Sequence, residues 1–195
     1  MTAPGTVEPS RLHRPRRDRR RALLKCALTV ALAAPVVACG STQEKASKAD
    51  SAISYRATDV GTGKAVSLAT LRGRPALLSS WATWCAPCRR ELPELQELHQ
   101  AQGDDGLQVV VVNVDSPDVA AAEIDGMATS LGLTMPQWRD PEGDFTSTFK
   151  GFGIPMSVLI DDNGQVLKTW HGILRPNDPE VRDRIAKAIR GTSGS

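Results

Sequence analysis

The amino-acid sequence predicts an α/β domain, a mixed central sheet with helices on both faces. Three stretches carry that prediction. Residues 107–114, LQVVVVNV, form a near-continuous β-branched run, the pattern of a central parallel strand covered on both faces. The apolar run Ala76–Trp81 leads through Cys85-Ala86-Pro87-Cys88 into a helical pattern. Finally, residues 156–160 and 165–170 flank Asp161-Asp162-Asn163-Gly164, whose Asn-Gly is a hairpin signal.

The chain opens with a basic segment. Residues 1–25 hold eight Arg and Lys against Glu8 and Asp18, a net of +6, so the whole-chain charge of +2 leaves −4 for the remainder. A mildly acidic domain behind a basic leader points away from nucleic acid as a partner. Residues 26–39 are uncharged; this is shorter than the ~20 residues a spanning helix needs and fits a signal-peptide apolar core. Adjacent arginines ending Arg20-Arg21-Ala22-Leu23-Leu24-Lys25 resemble a twin-arginine export signal. Val36-Val37-Ala38-Cys39 resembles a bacterial lipoprotein box, in which Cys39 is lipidated and becomes the new N-terminus. The alternative is an uncleaved amphiphilic anchor with an incidental Cys39. The chain therefore divides into a signal peptide over 1–38, a solvated linker over 39–50 and a folded domain over 51–192. Either version places the domain outside the cytoplasm and tethered to the membrane, stably so with two or more acyl chains.

Within the domain, 52–57 alternates weakly and suggests an edge strand. Gly61-Thr62-Gly63-Lys64 marks a turn, 65–68 a second short strand, and 70–75 a loop or single helical turn. Beyond Cys85, residues Cys88, Leu92, Leu95 and Leu98 or His99 recur at helical spacing up to Gly103. Pro93 falls inside this helix, where it removes the bond to the carbonyl of residue 89 and kinks the axis. Ser116-Pro117-Asp118 reads as a cap with Pro at the first helical position, opening a helix to about Leu131. A short strand over 137–140 and a helical turn over 145–150 follow. The closing amphipathic helix, 179–189, has Val181, Ile185, Ala188 and Ile189 on one side.

Of the four cysteines, Cys26 and Cys39 lie in or at the edge of the leader, so the domain keeps only Cys85 and Cys88. That argues for a working dithiol and against a multi-disulfide scaffold. Cysteines three apart meet in a disulfide only if a turn or helix start folds them together. An apolar run before and a helix after is the context in which such a pair reads as a thiol–disulfide redox centre. Half of a zinc site, completed by His99 and His171, and a static disulfide are the alternatives.

Trp81-Ala82-Thr83-Trp84-Cys85-Ala86-Pro87-Cys88, Gly153-Ile154-Pro155 and Leu159-Ile160-Asp161-Asp162-Asn163-Gly164 together resemble the thioredoxin superfamily. The nearest resemblance is to TlpA/ResA-type extracytoplasmic thiol–disulfide oxidoreductases, over roughly residues 52–190, with 116–131 as that branch's helical insertion. The resemblance implies a thioredoxin-like fold in which Cys85 is the nucleophile and Cys88 resolves. Pro155 matches the proline that follows a cis bond and lies against the disulfide. Glu91 matches an active-site glutamate. The buried Asp of thioredoxin itself is replaced by Ser79, which leaves Glu91 as the proton handler, against the plainer reading of a solvated glutamate among Arg89, Arg90 and Glu94. Met156 departs from the Thr common after the proline and bears on substrate preference. Trp84 and Ile154 are placed on the substrate-facing surface; Trp81 is expected in the core, and Arg89 and Arg90 on a solvated face.

No metal and no cofactor is expected. The expected partners are disulfide-bearing exported proteins and a membrane or extracytoplasmic thiol redox partner. Ala86-Pro87 puts no charge or donor between the cysteines, which leans towards a reductant, possible substrates being apocytochrome c or other exported dithiols. Alternatives are a disulfide-forming oxidant of the same fold, a copper-delivery lipoprotein using Met156 or His171, a thiol peroxidase and a non-enzymatic binding module. A peroxidase would need a lone cysteine in a Pro/Thr-rich loop, which the tryptophan-flanked pair opposes.

Overall fold

The computed structural model describes residues 55–102 and 106–192. The expected signal peptide, Cys39 and the linker lie outside these residues. Among the described residues no helix is long and apolar enough to cross a membrane.

The strands are β1 (Arg56–Asp59), β2 (Ala65–Ser67), β3 (Ala76–Trp81), β4 (Gln108–Asn113), β5 (Gln137–Arg139), β6 (Met156–Ile160) and β7 (Val166–His171). The helices are α1 (Ala86–Gln102), α2 (Ala121–Ser130), α3 (Asp144–Thr148) and α4 (Pro179–Thr192), with a 3-10 turn at Leu68–Leu71. They form one sheet in the order β2-β1-β5-β4-β3-β6-β7. β4 is parallel to both β3 and β5, and the remaining pairs are antiparallel. The sheet is mixed, and the β-branched run of β4 lies at its centre with five of its six residues buried.

Side chains alternate across the strands, so each face gathers its own core. Leu77, Trp81, Val109, Val111 and Leu159 face one side, where they pack with Cys88, Leu92 and Leu95 of α1, Ile124 and Ala128 of α2 and Val181, Ile185 and Ala188 of α4. Leu78, Val110, Val112, Val158 and Ile160 face the other, with Tyr55, Leu68, Leu71, Phe145 and Phe149. Each fully buried Leu, Val or Ile contributes roughly 1.5–3 kcal/mol, enough for these two faces to override weak local propensities.

The hairpin forms as expected. Asp161 Oδ1 accepts the Asn163 and Gln165 amides at 2.9 and 2.7 Å, and Gly164 adopts φ 85°, a left-handed conformation that favours glycine. α1 runs unbroken through Pro93.

Three local expectations shift. Of the edge strand expected over 52–57, residues 52–54 lie outside the described residues, and β1 at Arg56–Asp59 sits between β2 and β5 and is not an edge; Leu68 belongs to the 3-10 turn, where it is buried. The insertion helix starts at Ala121, and Ser116 does not cap it. Arg139 Nη2 from β5 bonds the carbonyls of Ser116 and Val119 at 3.4 and 2.8 Å, which ties 116–119 off as a turn of its own. The exit of that insertion is clamped to α1 instead. Buried Gln96 accepts the Thr134 and Met135 amides at 2.7 and 3.2 Å and donates to Thr134 Oγ1 at 2.7 Å.

Candidate active site

Between β3 and α1 the chain bends through Ala82 and Thr83. Thr83 is held at every polar group it has. Its N–H and hydroxyl donate to Asp115 Oδ2 and Oδ1 at 2.8 and 2.9 Å, and its carbonyl accepts Arg89 Nη1 at 2.8 Å. Asp115 is fully buried and also accepts Asn113 Nδ2 at 2.7 Å, while its own N–H donates to Asn113 Oδ1 at 3.2 Å. These bonds set the position from which α1 departs. Arg89 is exposed but folds back on Thr83, so it is not merely part of a solvated face; the first turn of α1 returns it over the preceding loop.

Cys85 and Cys88 form a disulfide with Cα atoms 5.3 Å apart, and both are buried. The Cys88 amide donates to Cys85 Sγ at 3.2 Å. This is a first-turn N–H without an intrahelical acceptor, and with the helix dipole it favours negative charge on that sulfur once the disulfide opens. Ile154 packs against the cluster that contains both cysteines. The Ile154–Pro155 bond is cis, Pro155 is buried, and its carbonyl accepts the Gly172 amide at 2.9 Å. Trp84, beside Cys85, is 68% exposed, whereas Trp81 is in the core.

Glu91, one turn beyond Cys88, is 1% exposed, so it is not a solvated glutamate. Its Oε1 accepts the Ser79 and Ser157 hydroxyls at 2.9 and 3.3 Å, and Ser157 donates to Ser79 Oγ at 2.9 Å. Among the described residues Oε2 is buried without a hydrogen bond, and the nearby Leu174 amide favours the carboxylate. Burial disfavours the anion more than these donors favour it, and the carboxyl is pushed up from its ordinary 4.5 to about 7.

That shift has a sign in stability. A raised carboxyl costs nothing below its unfolded value near 4.5, and native stability is lost as pH rises through 7. Spanning 2.5 units at ~1.4 kcal/mol each, the loss is about 3 kcal/mol. Denaturant titrations of the oxidised protein at pH 5 and pH 8 should show this decline in the wild type and lose most of it in Glu91→Gln. An equal pH slope in the two proteins would contradict the buried carboxyl.

Met156 does not reach the substrate side. Its side chain is buried in the core opposite the cysteines, and its backbone N–H donates to Ser80 Oγ at 3.0 Å. The alternation of β6 puts it there, and the copper reading loses its Met–Cys pairing. His99 is half-buried on α1. His171 ends β7 at the surface, stacked on the 86% exposed Phe152 with ring centroids 4.6 Å apart. Sequence reasoning did not single out Ser157, Asp115 or Phe152. A serine inside the otherwise apolar MSVLI and an Asp ending the VVVVNVD run were the available signals.

Comparison with known proteins identifies the family. Thiol-disulfide oxidoreductase ResA of Bacillus cereus is 29% identical over 132 residues, 68% of this chain and 74% of that one. Thioredoxin-like protein YneN of Bacillus subtilis is 30% identical, over 62% of this chain and 70% of its own. A thiol:disulfide interchange protein of the thioredoxin family from Chlorobium tepidum superposes with a TM-score of 0.57 at 25% identity, covering 69% of this chain and 92% of that structure. With residues 49–169 matching the AhpC/TSA family, more than half of its length, the chain belongs to that family and within it is a thioredoxin-like thiol–disulfide oxidoreductase.

Proposed function

We propose that the enzyme works outside the cytoplasm as a reductant of disulfides in exported proteins, apocytochrome c among the substrates the resemblance suggests. The observation that carries this is the Cys85–Cys88 pair at the start of α1, with the Cys88 amide on Cys85 Sγ and a buried acid one turn below. The basic leader and the box ending at Cys39 support export and a lipid anchor.

In the forward reaction the Cys85 thiolate attacks one sulfur of the substrate disulfide, and the other substrate sulfur leaves as a thiolate and takes a proton. The Cys88 thiol then gives its proton to Glu91, and its thiolate attacks Cys85 Sγ. The second substrate thiol is released, two electrons have passed to the substrate, and the enzyme holds the Cys85–Cys88 disulfide seen here. A thiol partner returns the electrons. Trp84 and Ile154 present the surface on which the substrate cysteine lies, and Pro155 fixes the loop opposite. A carboxyl poised near neutrality is suited to receive the Cys88 proton.

Direction follows from what stabilises the thiolate. Ala86 and Pro87 add no charge or side-chain donor between the cysteines, so the reduced form is favoured less than in a strong oxidant. Equilibration against glutathione should give a reduction potential at or below about −230 mV; a value near −120 mV would make the enzyme an oxidant.

A further inference from the structure

Ser79 and Ser157 stand directly opposite each other in the antiparallel β3–β6 pair, on the face that α1 covers. Serines in strands this apolar must find partners, and each finds the other and Glu91. Each hydroxyl has one proton. Ser79 gives its proton to Glu91 Oε1, and Ser157 gives its own chiefly to Ser79, the nearer acceptor, with Oε1 at 3.3 Å. The result is a directed chain from β6 through β3 to one carboxyl oxygen.

We propose that Ser79 and Ser157 are positioning residues of the proton handler: they bind Oε1, so that the proton Glu91 takes up resides on Oε2. This rests on Glu91 accepting the Cys88 proton. Oε1 accepts the Ser79 hydroxyl and has the Ser157 hydroxyl at 3.3 Å, whereas Oε2 is buried and, among the described residues, has no hydrogen-bond partner. A neutral carboxylic acid donates from the oxygen that carries its hydrogen, so the chain of hydroxyls on Oε1 leaves Oε2 as the favoured acid–base position.

The chain also tunes the group. Donors to a carboxylate favour the anion, so both serines offset the burial that raises Glu91, the Ser79 bond more than the Ser157 one. The charged and titratable groups around the carboxyl are few. On its own helix are Glu94, which raises it, and the two cysteines at the helix start. β3 and β6 bring no ionisable side chain, and the loop after β7 brings the Leu174 amide, followed by exposed Arg175.

The test is a carbon-13 NMR titration of the Glu91 carboxyl in the oxidised full-length chain. Ser79→Ala should move its midpoint up by about one pH unit, and Ser157→Ala by less. Ser157→Thr, which keeps the hydroxyl, should restore the wild-type midpoint, and Ser157→Val, matched to Thr in shape, should not. The Thr/Val pair decides the question where an alanine variant folds poorly. Midpoints unmoved by loss of either hydroxyl, or moved equally by Thr and Val, would overturn the proposal. A second arm follows the pH dependence of Cys88 alkylation in the reduced chain, where Ser79→Ala should shift the profile in the direction of its Glu91 midpoint. An alkylation profile unchanged in Glu91→Gln would refute the proton-accepting role itself, even where the NMR midpoints respond to the serines.

Discussion

Replacing Cys85 by Ser should reduce disulfide turnover to the uncatalysed background, while Cys88→Ser should stop the enzyme halfway. A serine hydroxyl at 85 would keep the place at the start of α1 and the Cys88 amide donor, which reaches the sulfur at 3.2 Å in the native protein. It would not supply an attacking thiolate, the nucleophile of the exchange. In Cys88→Ser the first attack remains, but nothing releases the substrate, so a mixed disulfide through Cys85 accumulates. Insulin reduction read against intact-mass analysis distinguishes the two variants. Equal activity in Cys85→Ser and wild type would remove the mechanism, and a mixed disulfide forming through Cys88 instead would reverse the roles. Loss of fold does not account for the expected result. The disulfide closes a loop of sequence separation 3, so the entropy it removes from the unfolded chain amounts to only about 2 kcal/mol. Both cysteines lie in one face of the core, but serine differs from cysteine only by oxygen for sulfur and the rest of the cluster is kept, so circular dichroism of the variants should show a retained fold.

How much of this was legible in the sequence depended on how local each signal is. The strand at Ala76–Trp81, the β-branched β4 and the Asn-Gly hairpin announce themselves within a few residues. The place of β1 does not. Its contact with β5 joins Thr58 to Arg139 and Asp59 to Trp138, a pairing of short strands far apart in the chain that no local pattern encodes. The same divide runs through the site. The C-x-x-C and the Gly-Ile-Pro loop are local motifs, and Glu91 follows Cys88 at helical spacing. Ser157 becomes meaningful only through the β3–β6 register, which sets it opposite Ser79. Ser116 misleads for a related reason: Ser-Pro-Asp opens a turn as readily as a helix, and Arg139, contributed from β5, selects the turn. Met156 could be assigned to its face only once the strand's alternation was anchored by its neighbours.

Asp115→Ala should be the most destabilising single polar substitution near the site, by roughly 3–6 kcal/mol, out of the ~5–15 that hold a typical domain together. The carboxylate accepts three hydrogen bonds at 2.7–2.9 Å, from the Thr83 amide, the Thr83 hydroxyl and the Asn113 amide group. All three residues are buried, so each donor left without an acceptor loses a bond it cannot readily replace with water. Asp115→Asn should cost less than Ala but still weaken the site, because one oxygen remains and an NH2 group faces a donor where the other oxygen stood. The order wild type, Asn, Ala in urea midpoints, at unchanged m-value, checks this. A midpoint for Asp115→Ala within experimental error of wild type would mean that the Thr83 loop is held by other contacts. The consequence for chemistry follows from geometry. Thr83 lies two residues before Cys85, and with its N–H and hydroxyl released it keeps only the Arg89 bond to its carbonyl, among the described residues, while the Cys85 amide still bonds the Ala82 carbonyl at 3.1 Å. The nucleophile then loses its fixed approach, and a positioning error of about 1 Å costs roughly 100-fold in rate. Asp115→Asn, measured under conditions where it remains folded, should therefore turn over disulfides more slowly than wild type although no atom of residue 115 reacts.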